Sequence, residues 1–228
     1  MLLAFDSSAS PLTMALWDTE NERLAAELML NSNSGSSLLP GIDYMLSHFP
    51  GRGLRALAVC TGPGSFTGLR VGLASAQGLA FALDIPVIPL SSLEILAFAA
   101  GCRPGMVWAI VDARQKTVYA APFTWEQGRL RRLAPDGAAS PERLKELLKP
   151  PACLLGSGAE LYARLLTTPG ISVMPLAAAP RGATLIELAR PRLLSGQTIA
   201  ADALKPNYCR PSDVEARFNL PLEEYNLL

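Results

Sequence analysis

The chain has 228 residues, of which 50% are hydrophobic and 18% are charged. This composition supports one large folded domain or two small ones and excludes global disorder, because disordered chains are richer in charge and poorer in apolar residues. The 20 Lys and Arg residues balance the 20 Asp and Glu residues. Such a chain is not expected to bind nucleic acid or an anionic membrane by itself, since that binding requires surplus positive charge.

The four cysteines lie far apart, at Cys60, Cys102, Cys153 and Cys209. This spacing fits neither a zinc site nor a redox motif, and four thiols are too few for a disulfide framework. We therefore expect reduced thiols in a cytoplasmic protein. The first six residues lack the basic region of a signal peptide. Polar residues and prolines interrupt the apolar stretch 71–100, so we expect no membrane span.

The sequence contains one histidine, His48. Zinc sites built from several imidazoles need two or three histidines, so this class of site is excluded. A Ser-His-Asp triad would have to use His48, which ends an apolar-patterned segment. We interpret His48 as a surface residue at a helix end, and we expect no metal site and no catalytic residue.

The first 100 residues predict a three-stranded meander followed by helices that alternate with strands. Asn31 to Ser37 form a polar loop, and Pro40 suits the first turn of the helix that follows. The predicted strands are 2–6, 12–17, 24–30, 57–60 and 86–90, and the predicted helices are 38–49, 68–83 and 91–100.

Residues 101–195 repeat this order of elements. Strands are predicted at 106–111, 117–125, 130–133, 152–155 and 171–174, and helices at 141–148, 159–166 and 183–194. In both blocks the first strand ends in an aspartate, Asp6 or Asp112. An α/β protein with two duplicated lobes, each a mixed sheet with a three-stranded meander and flanking helices, shows this pattern. We predict lobes at 1–100 and 101–195 and an irregular tail at 196–228.

Asp6, Ser7 and Ser8 follow the first strand, at the sheet edge where open α/β sheets bind ligands. A carboxylate beside two hydroxyls suits hydrated magnesium and a phosphate. The alternative is a turn in which Asp6 caps backbone amides. In the second block, the turn containing Gly156 and Gly158 follows a strand and opens a helix, and such a turn can admit a flat ligand near its backbone.

Residues 62–72 read Gly-Pro-Gly-Ser-Phe-Thr-Gly-Leu-Arg-Val-Gly. This is not a P-loop, because no lysine follows the second glycine. Gly64 and Ser65 lie where free amides at a helix start could meet an anion or a partner. The alternative is a strand-to-helix turn capped by Ser65 or Thr67.

The helix after this loop carries small residues at two helical repeats, 68/72/76/80 and 74/78/82. Glycine inside a helix is unfavourable by about 1 kcal/mol relative to alanine, which suggests close backbone approach on both sides. One side would face the sheet. The other would face the preceding helix or another chain, and the pattern favours neither. The preceding helix has a wide apolar set: Leu38, Leu39, Ile42, Met45, Leu46 and Phe49.

Three segments together resemble the TsaB (YeaZ) family. They are Leu3-Ala-Phe-Asp6-Ser-Ser, the glycine motif 62–72 with Ala76-Gln-Gly-Leu-Ala80, and Pro206-x-Tyr208-x-Arg210-x-x-Asp213-x-Glu215. The resemblance implies a duplicated actin-like (ASKHA, ribonuclease H-like) fold. It also implies an accessory role in the tRNA modification that places threonylcarbamoyl on N6 of adenosine 37 in ANN-decoding tRNAs.

The family resemblance implies the paralogue TsaD as partner, bound through the two helices of the first lobe. It identifies the interface residues as Leu38, Leu39, Ile42, Met45, Leu46, Phe49, Gly68, Val71, Gly72, Ser75, Ala76 and Leu79. TsaD holds its metal through a histidine pair, whereas the matching loop 31–37 contains no histidine. The expected role is therefore a non-catalytic scaffold. Further expectations are the TsaE ATPase in the complex, a homodimer when TsaD is missing, and tRNA contact only through the complex.

The competing hypothesis is an ATP-dependent phosphotransferase of the same fold. It would place magnesium and ATP or ADP among the candidates Asp6, Ser7, Ser8, Gly64, Ser65, Asp112, Gly156 and Gly158. The first turn lacks the glycine that would bring its backbone close to a phosphate, which disfavours catalysis. Under the scaffold hypothesis these residues are a degenerate site with at most weak nucleotide binding.

Overall fold

A computed structural model describes residues 1–31, 34–50, 53–101, 103–175 and 180–210. The described residues form two compact units. The first comprises residues 1–95 and 180–207, and the second comprises residues 96–175 and 208–210.

The first unit contains a five-stranded sheet of strand order β3-β2-β1-β4-β5. Strands β1, β2 and β3 form an antiparallel meander, whereas β4 runs parallel to β1 and β5 runs parallel to β4. The strands are β1 (Leu2–Asp6), β2 (Leu12–Asp18), β3 (Arg23–Leu30), β4 (Ala56–Gly62) and β5 (Val87–Ser91). The helices are α1 (Ser34–Ser47), α2 (Phe66–Leu83) and α3 (Ser92–Ala99), of which α3 continues into the second unit.

The centre of this sheet is buried on both faces. All of β4 is buried, as is β1 up to Phe5, and their near-continuous apolar sequences fit strands that are covered on both sides. On one face, α1 and α2 pack with β1, β2 and β4 around Phe5, Met14 and Leu38. This core fixes the positions of α1 and α2.

The second unit contains a sheet of order β8-β7-β6-β10-β11. Strands β6, β7 and β8 form an antiparallel meander, and β10 and β11 run parallel to β6. The elements are β6 (Met106–Asp112), β7 (Val118–Glu126), β8 (Arg129–Arg132), β9 (Gly137–Ala139), α4 (Pro141–Leu147), β10 (Ala152–Leu155), α5 (Ser157–Leu161), α6 (Ala163–Leu166) and β11 (Ile171–Met174).

The two sheets share one topology. Strands β6, β7, β8, β10 and β11 follow the order and directions of β1, β2, β3, β4 and β5. The repeat predicted from the sequence is therefore confirmed as a structural duplication of two α/β lobes, each a mixed sheet with a three-stranded meander.

Three local predictions differ from the structure. Helix α1 begins at Ser34, so Pro40 lies inside it and removes one backbone hydrogen bond rather than occupying the first turn. The preceding serines and glycine have low helix propensity, which suggested a loop. The predicted helix 159–166 is split at Tyr162, which lies outside helical geometry with φ −104° and ψ 19°. Strand β9, three residues that pair with β7, was missed because of its length.

Helix α7 (Gly182–Leu194) packs on the first sheet, although the sequence placed it in the second lobe. Gly182 allows this approach, because a Cβ there would lie 2.6 Å from the carbonyl oxygen of Met14. Glu27 of β3 accepts hydrogen bonds from the Ala183 amide at 3.1 Å and from Arg181. These contacts join residues far apart in the chain, so local sequence patterns did not show that α7 belongs to the first unit.

The segment after α7 also returns to the first unit. Ile199 exchanges two backbone hydrogen bonds with Val87 at the edge of β5, and the Asn207 amide donates to Thr61. Residues 201–203 form a single 3-10 turn. The predicted tail is thus irregular over its described residues but is attached to the sheet, and its part beyond residue 210 lies outside the described residues.

Candidate functional site

Helix α2 begins at a side-chain cap. Ser65 accepts a hydrogen bond from the Gly68 amide at 3.3 Å, which satisfies one of the free amides at the helix start. At the other end, Asp84 adopts a left-handed conformation, and its amide donates to Ala80. The capping alternative considered for the glycine-rich loop is therefore the one observed.

The first small-residue repeat of α2 faces the core of its own unit. Gly68, Gly72, Ala76 and Ala80 are all buried. A Cβ on Gly72 would overlap the Ser7 hydroxyl oxygen. This side of α2 therefore uses its small residues to approach the end of β1. The assignment of Gly68, Gly72 and Ala76 to a partner interface is corrected accordingly.

The inner side of α1 is also internal. Leu38, Ile42 and Met45 are 0%, 3% and 2% exposed and belong to the core with Phe5 and Met14. These three predicted interface residues cannot touch a partner in this structure. Helical periodicity identifies an apolar face correctly, but it does not say whether the same chain or another covers that face.

The remaining predicted interface residues are accessible to different degrees. Leu39 is 55% exposed. The others are half-buried: Leu46, Phe49, Val71, Ser75 and Leu79.

The second small-residue repeat of α2 is open to solvent. Ala74, Gly78 and Ala82 are exposed, and a Cβ on Gly78 would meet no atom within 4 Å. Beside this repeat, the Phe81 side chain is 85% exposed. Sequence reasoning did not select Phe81, although its position next to the repeat 74/78/82 was a usable signal.

Helix α1 adds an exposed aromatic pair. Tyr44 is 60% exposed, and its ring lies 4.5 Å from that of His48, centroid to centroid. The His48 Nδ1 is 2.7 Å from the Tyr44 carbonyl oxygen. His48 thus lies on the surface just after the end of α1, as interpreted from the sequence. We call six of the exposed residues of the two packed helices the α1–α2 surface: Leu39, Tyr44, Ala74, Gly78, Phe81 and Ala82.

The first candidate nucleotide turn is brought together as predicted, but its groups bind one another. The Ser7 hydroxyl donates to the Gly68 carbonyl at 2.8 Å, and the Ser65 amide donates to the Ser8 carbonyl at 2.7 Å. Asp6 accepts from the Ser8 amide at 2.7 Å. A Cβ on Gly64 would lie 2.6 Å from the Ser8 carbonyl oxygen. The start of α2 therefore fills the space beside this turn.

A buried thiol completes this cluster. The Cys60 Sγ lies 3.4 Å from the Ser8 hydroxyl oxygen. Burial raises the pKa of Cys60 well above its ordinary value, and the Asp6 carboxylate raises the pKa further. The thiol is therefore neutral and unsuited to nucleophilic attack at physiological pH.

The second unit brings Asp112, Gly156 and Gly158 together. The Asp112 amide donates to the Ser157 hydroxyl at 3.1 Å. A Cβ on Gly158 would lie 3.1 Å from the Asp112 nitrogen, and one on Gly156 would overlap the Ile110 carbonyl oxygen. These glycines permit α5 to pack closely on the end of β6, so they have a structural role at this position.

Two further properties of the chain bear on function. The described residues contain no group of three or more His, Cys, Asp or Glu side chains that could hold a metal ion. Among the helices that the structure describes, none has the length and apolar character needed to cross a membrane.

Comparison with known proteins gives the family. A family model described as "TsaD: tRNA N6-adenosine threonylcarbamoyltransferase" matches residues 37–179, more than half of the chain. The tRNA threonylcarbamoyladenosine biosynthesis protein TsaB of Haemophilus influenzae is 34% identical over 223 residues, covering 92% of this chain and 93% of that protein. The chain belongs to the TsaB family.

Other comparisons agree with this TsaB assignment. The TsaB protein of Bacillus subtilis is 29% identical, with 95% of this chain and 97% of that protein covered. The solved structure of YeaZ from Pseudomonas aeruginosa has a TM-score of 0.78 at 29% identity and covers 91% of this chain and 98% of that chain. The resemblance drawn from the three sequence segments is confirmed.

Proposed function

We propose that this chain is a non-catalytic scaffold for threonylcarbamoyl transfer to N6 of adenosine 37 in ANN-decoding tRNAs, and that it acts by binding TsaD. The observation that carries the proposal is the membership of the TsaB family, whose relatives are named for threonylcarbamoyladenosine biosynthesis in tRNA. The transferase named by the matching family model is the natural partner.

The α1–α2 surface supports a protein partner at the first unit. Leu39, Tyr44 and Phe81 are large apolar side chains more than half exposed on two packed helices. Exposed aromatic residues of this kind are enriched at protein interfaces. The open Gly78 beside Phe81 would let a partner helix approach closely. The inner residues Leu38 and Gly72 then serve to position this surface.

The arrangement of the first turn supports a scaffold rather than a phosphotransferase. Magnesium or a phosphate at Asp6–Ser8 would need the Ser7 and Ser8 groups, which are hydrogen-bonded to α2 and to Asp6. Binding there would require α2 to move, with loss of the packing around Gly72. Under the scaffold proposal, any weak binding of a nucleotide with magnesium would be a property of the assembled complex.

The mechanism would be thermodynamic. A scaffold that binds the active form of TsaD more tightly than other forms raises the population of that form by mass action. The TsaE ATPase would join the same cytoplasmic complex, and tRNA would be bound by the complex. Without TsaD, the exposed apolar side chains would favour a homodimer.

Reconstitution tests the proposal. The transferase of the same genome, TsaE and a threonylcarbamoyl-adenylate source are combined with an ANN-decoding tRNA transcript, with and without this chain. We expect modification only when the chain is present, and no modification by the chain in the absence of the transferase. Equal modification in both arms would overturn the scaffold role, and turnover of Mg-ATP by the isolated chain would favour the phosphotransferase.

A further inference from the structure

Strand β8 forms one edge of the second sheet. It pairs with β7, and among the described residues no strand lies on its other side. An open depression of about 680 Å³ lies at the β7–β8 hairpin and is lined by Glu126, Gln127, Arg129, Leu130 and Arg131. An edge strand with open space beside it offers its backbone groups to a further strand.

The geometry of the hairpin identifies which backbone groups of β8 face outward. Residues 127–128 form its two-residue loop, and both have positive φ. The residues that flank such a loop form a hydrogen-bonded pair, and bonded and non-bonded pairs then alternate along the two strands. The Leu133 amide donates to the Pro122 carbonyl at 2.9 Å, as this alternation requires. The amide and carbonyl groups of Leu130 and Arg132 therefore point away from β7.

The side chains of β8 make this edge basic. Three of its four residues are Arg129, Arg131 and Arg132. Arg131 pairs with Glu126 at 3.0 Å. Arg132 pairs with Asp136. Arg129 is exposed and makes no ion pair with any residue that the structure describes. Charged side chains at a sheet edge deter most strands, but a basic edge attracts a segment that is rich in acidic residues.

The sequence after Arg210 contains such a segment. Residues 211–228 lie outside the described residues. From 214 to 220 they read Val-Glu-Ala-Arg-Phe-Asn-Leu, a strict alternation of apolar and polar side chains that is typical of a strand with one covered face. Pro221 follows, and proline is tolerated at the end of a strand or at a sheet edge. Residues 213–224 include four acidic residues and one cation, so their charge complements that of β8.

The described chain ends close to this edge. Cys209 belongs to the second unit and is 1% exposed. Its pKa is raised by burial, raised further by the Asp136 carboxylate and lowered by Arg132, so both of these groups lie near the thiol. Arg132 is the last residue of β8. Three extended residues span about 10 Å, so residues 211–213 are sufficient to bring the chain from Cys209 to the strand.

The same edge offers an apolar face. Trp125 and Leu130 lie opposite one another in the β7–β8 register, and both are half-buried. Directly opposed side chains lie on the same face of a sheet. A strand beside Leu130 would continue this face with its own apolar side chains.

We propose that residues 214–220 add a strand to β8 and so close this edge of the second sheet within one chain. In this arrangement the backbone of the added strand pairs with Leu130 and Arg132, and its apolar side chains continue the face of Trp125. The acidic residues of the segment lie near Arg129. A closed edge no longer pairs with the edges of other copies, which protects the chain from aggregation. The proposal goes beyond the scaffold role and does not depend on it.

Amide hydrogen exchange of the full chain, followed for each residue by NMR, tests the proposal. The variant Phe218→Pro/Asn219→Pro removes two successive amides, one of which faces β8 in either register. We expect the amides of Leu130 and Arg132 to exchange at least about tenfold faster in this variant than in the wild type. The Arg131 amide faces β7 and should change by less than about threefold.

The matched control is Tyr225→Pro/Asn226→Pro, which replaces an aromatic residue and an asparagine beyond Pro221. We expect the two outward-facing amides of β8 to exchange in this control as in the wild type. Rapid exchange of these amides in the wild type, or an equal acceleration by both double variants, would overturn the proposal. An equal acceleration at Arg131 would also overturn it, because the whole hairpin would then be opening.

Dilution distinguishes a strand of the same chain from one donated by a second copy. Protection within one chain is independent of protein concentration, whereas protection by another copy is lost as the copies dissociate. We expect the exchange of the peptide that contains β8, measured by mass spectrometry, to stay constant over about a hundredfold dilution. Loss of protection on dilution would overturn the assignment to the same chain.

Discussion

The Ser7 hydroxyl occupies the position that a side chain on Gly72 would need. The same hydroxyl donates to the Gly68 carbonyl at 2.8 Å, one helical turn before Gly72. The turn after β1 and the buried repeat of α2 are therefore one packing unit. Ser7, a predicted nucleotide-site residue, thus contacts Gly68 and Gly72, which were predicted to lie in the partner interface.

This contact predicts that Gly72→Ala destabilises the chain by about 1–3 kcal/mol, the usual effect of overpacking a core. In the Ser7→Ala background the added methyl has room, because the Ser7 Cβ lies 3.4 Å from the point that a Cβ on Gly72 would occupy. We expect the second substitution to cost markedly less there, giving a coupling above about 0.5 kcal/mol. Urea unfolding of the four chains measures this cycle, and strictly additive effects would contradict the contact.

The same packing changes how the interface should be probed. Substitutions at the buried repeat, such as Gly72→Leu or Ala76→Glu, would place large or charged groups inside the core. Loss of partner binding in such variants would reflect misfolding. Exposed positions are needed instead.

The second prediction concerns pH. Burial raises the pKa of the Cys209 thiol to about 12; the Asp136 carboxylate also raises it, and Arg132 lowers it. The unfolded thiol titrates near 8.5, so the folded chain holds this proton more tightly. The contribution of the Cys209 thiol to the free energy of unfolding is therefore fully present below about pH 8.5 and is lost as the pH rises toward 12.

Cys209→Ala should consequently weaken the fall in the urea midpoint between pH 8 and pH 10. Part of the fall should remain, because burial and the Asp6 carboxylate also raise the pKa of Cys60. Identical pH profiles for the variant and the wild type would contradict a buried neutral thiol at position 209.

Much of this fold was predictable because its signals are local. Strand β1 ends at Asp6 and β6 ends at Asp112 as their apolar runs indicated, and the repeated order of elements revealed the duplication. Contacts between residues far apart in the chain could not be predicted from these local signals. Helix α7 is attached to the first sheet by the close approach of Gly182 to Met14 and by the hydrogen bond from the Ala183 amide to Glu27. Hydrophobic periodicity along the chain does not report such contacts.

The candidate site shows the same division. The sequence selected both helices, and the structure keeps Leu39 exposed. The sequence could not show which repeat faces the core, the one containing Gly72 or the one containing Gly78, because both consist of Gly and Ala at a spacing of four residues. Only the position of Ser7 beside one of them decides which repeat faces the core.

The third prediction tests the α1–α2 surface. Phe81 is 85% exposed, so Phe81→Glu should leave the thermal midpoint of the isolated chain nearly unchanged. If Phe81 is an anchor of the TsaD interface, the charge should weaken heterodimer formation by more than 30-fold, corresponding to at least about 2 kcal/mol. Leu194→Glu is the matched control, since Leu194 is 82% exposed at the end of α7. Calorimetric titration of each variant with TsaD measures the difference. Equal affinities for the two variants would remove the α1–α2 surface from the interface.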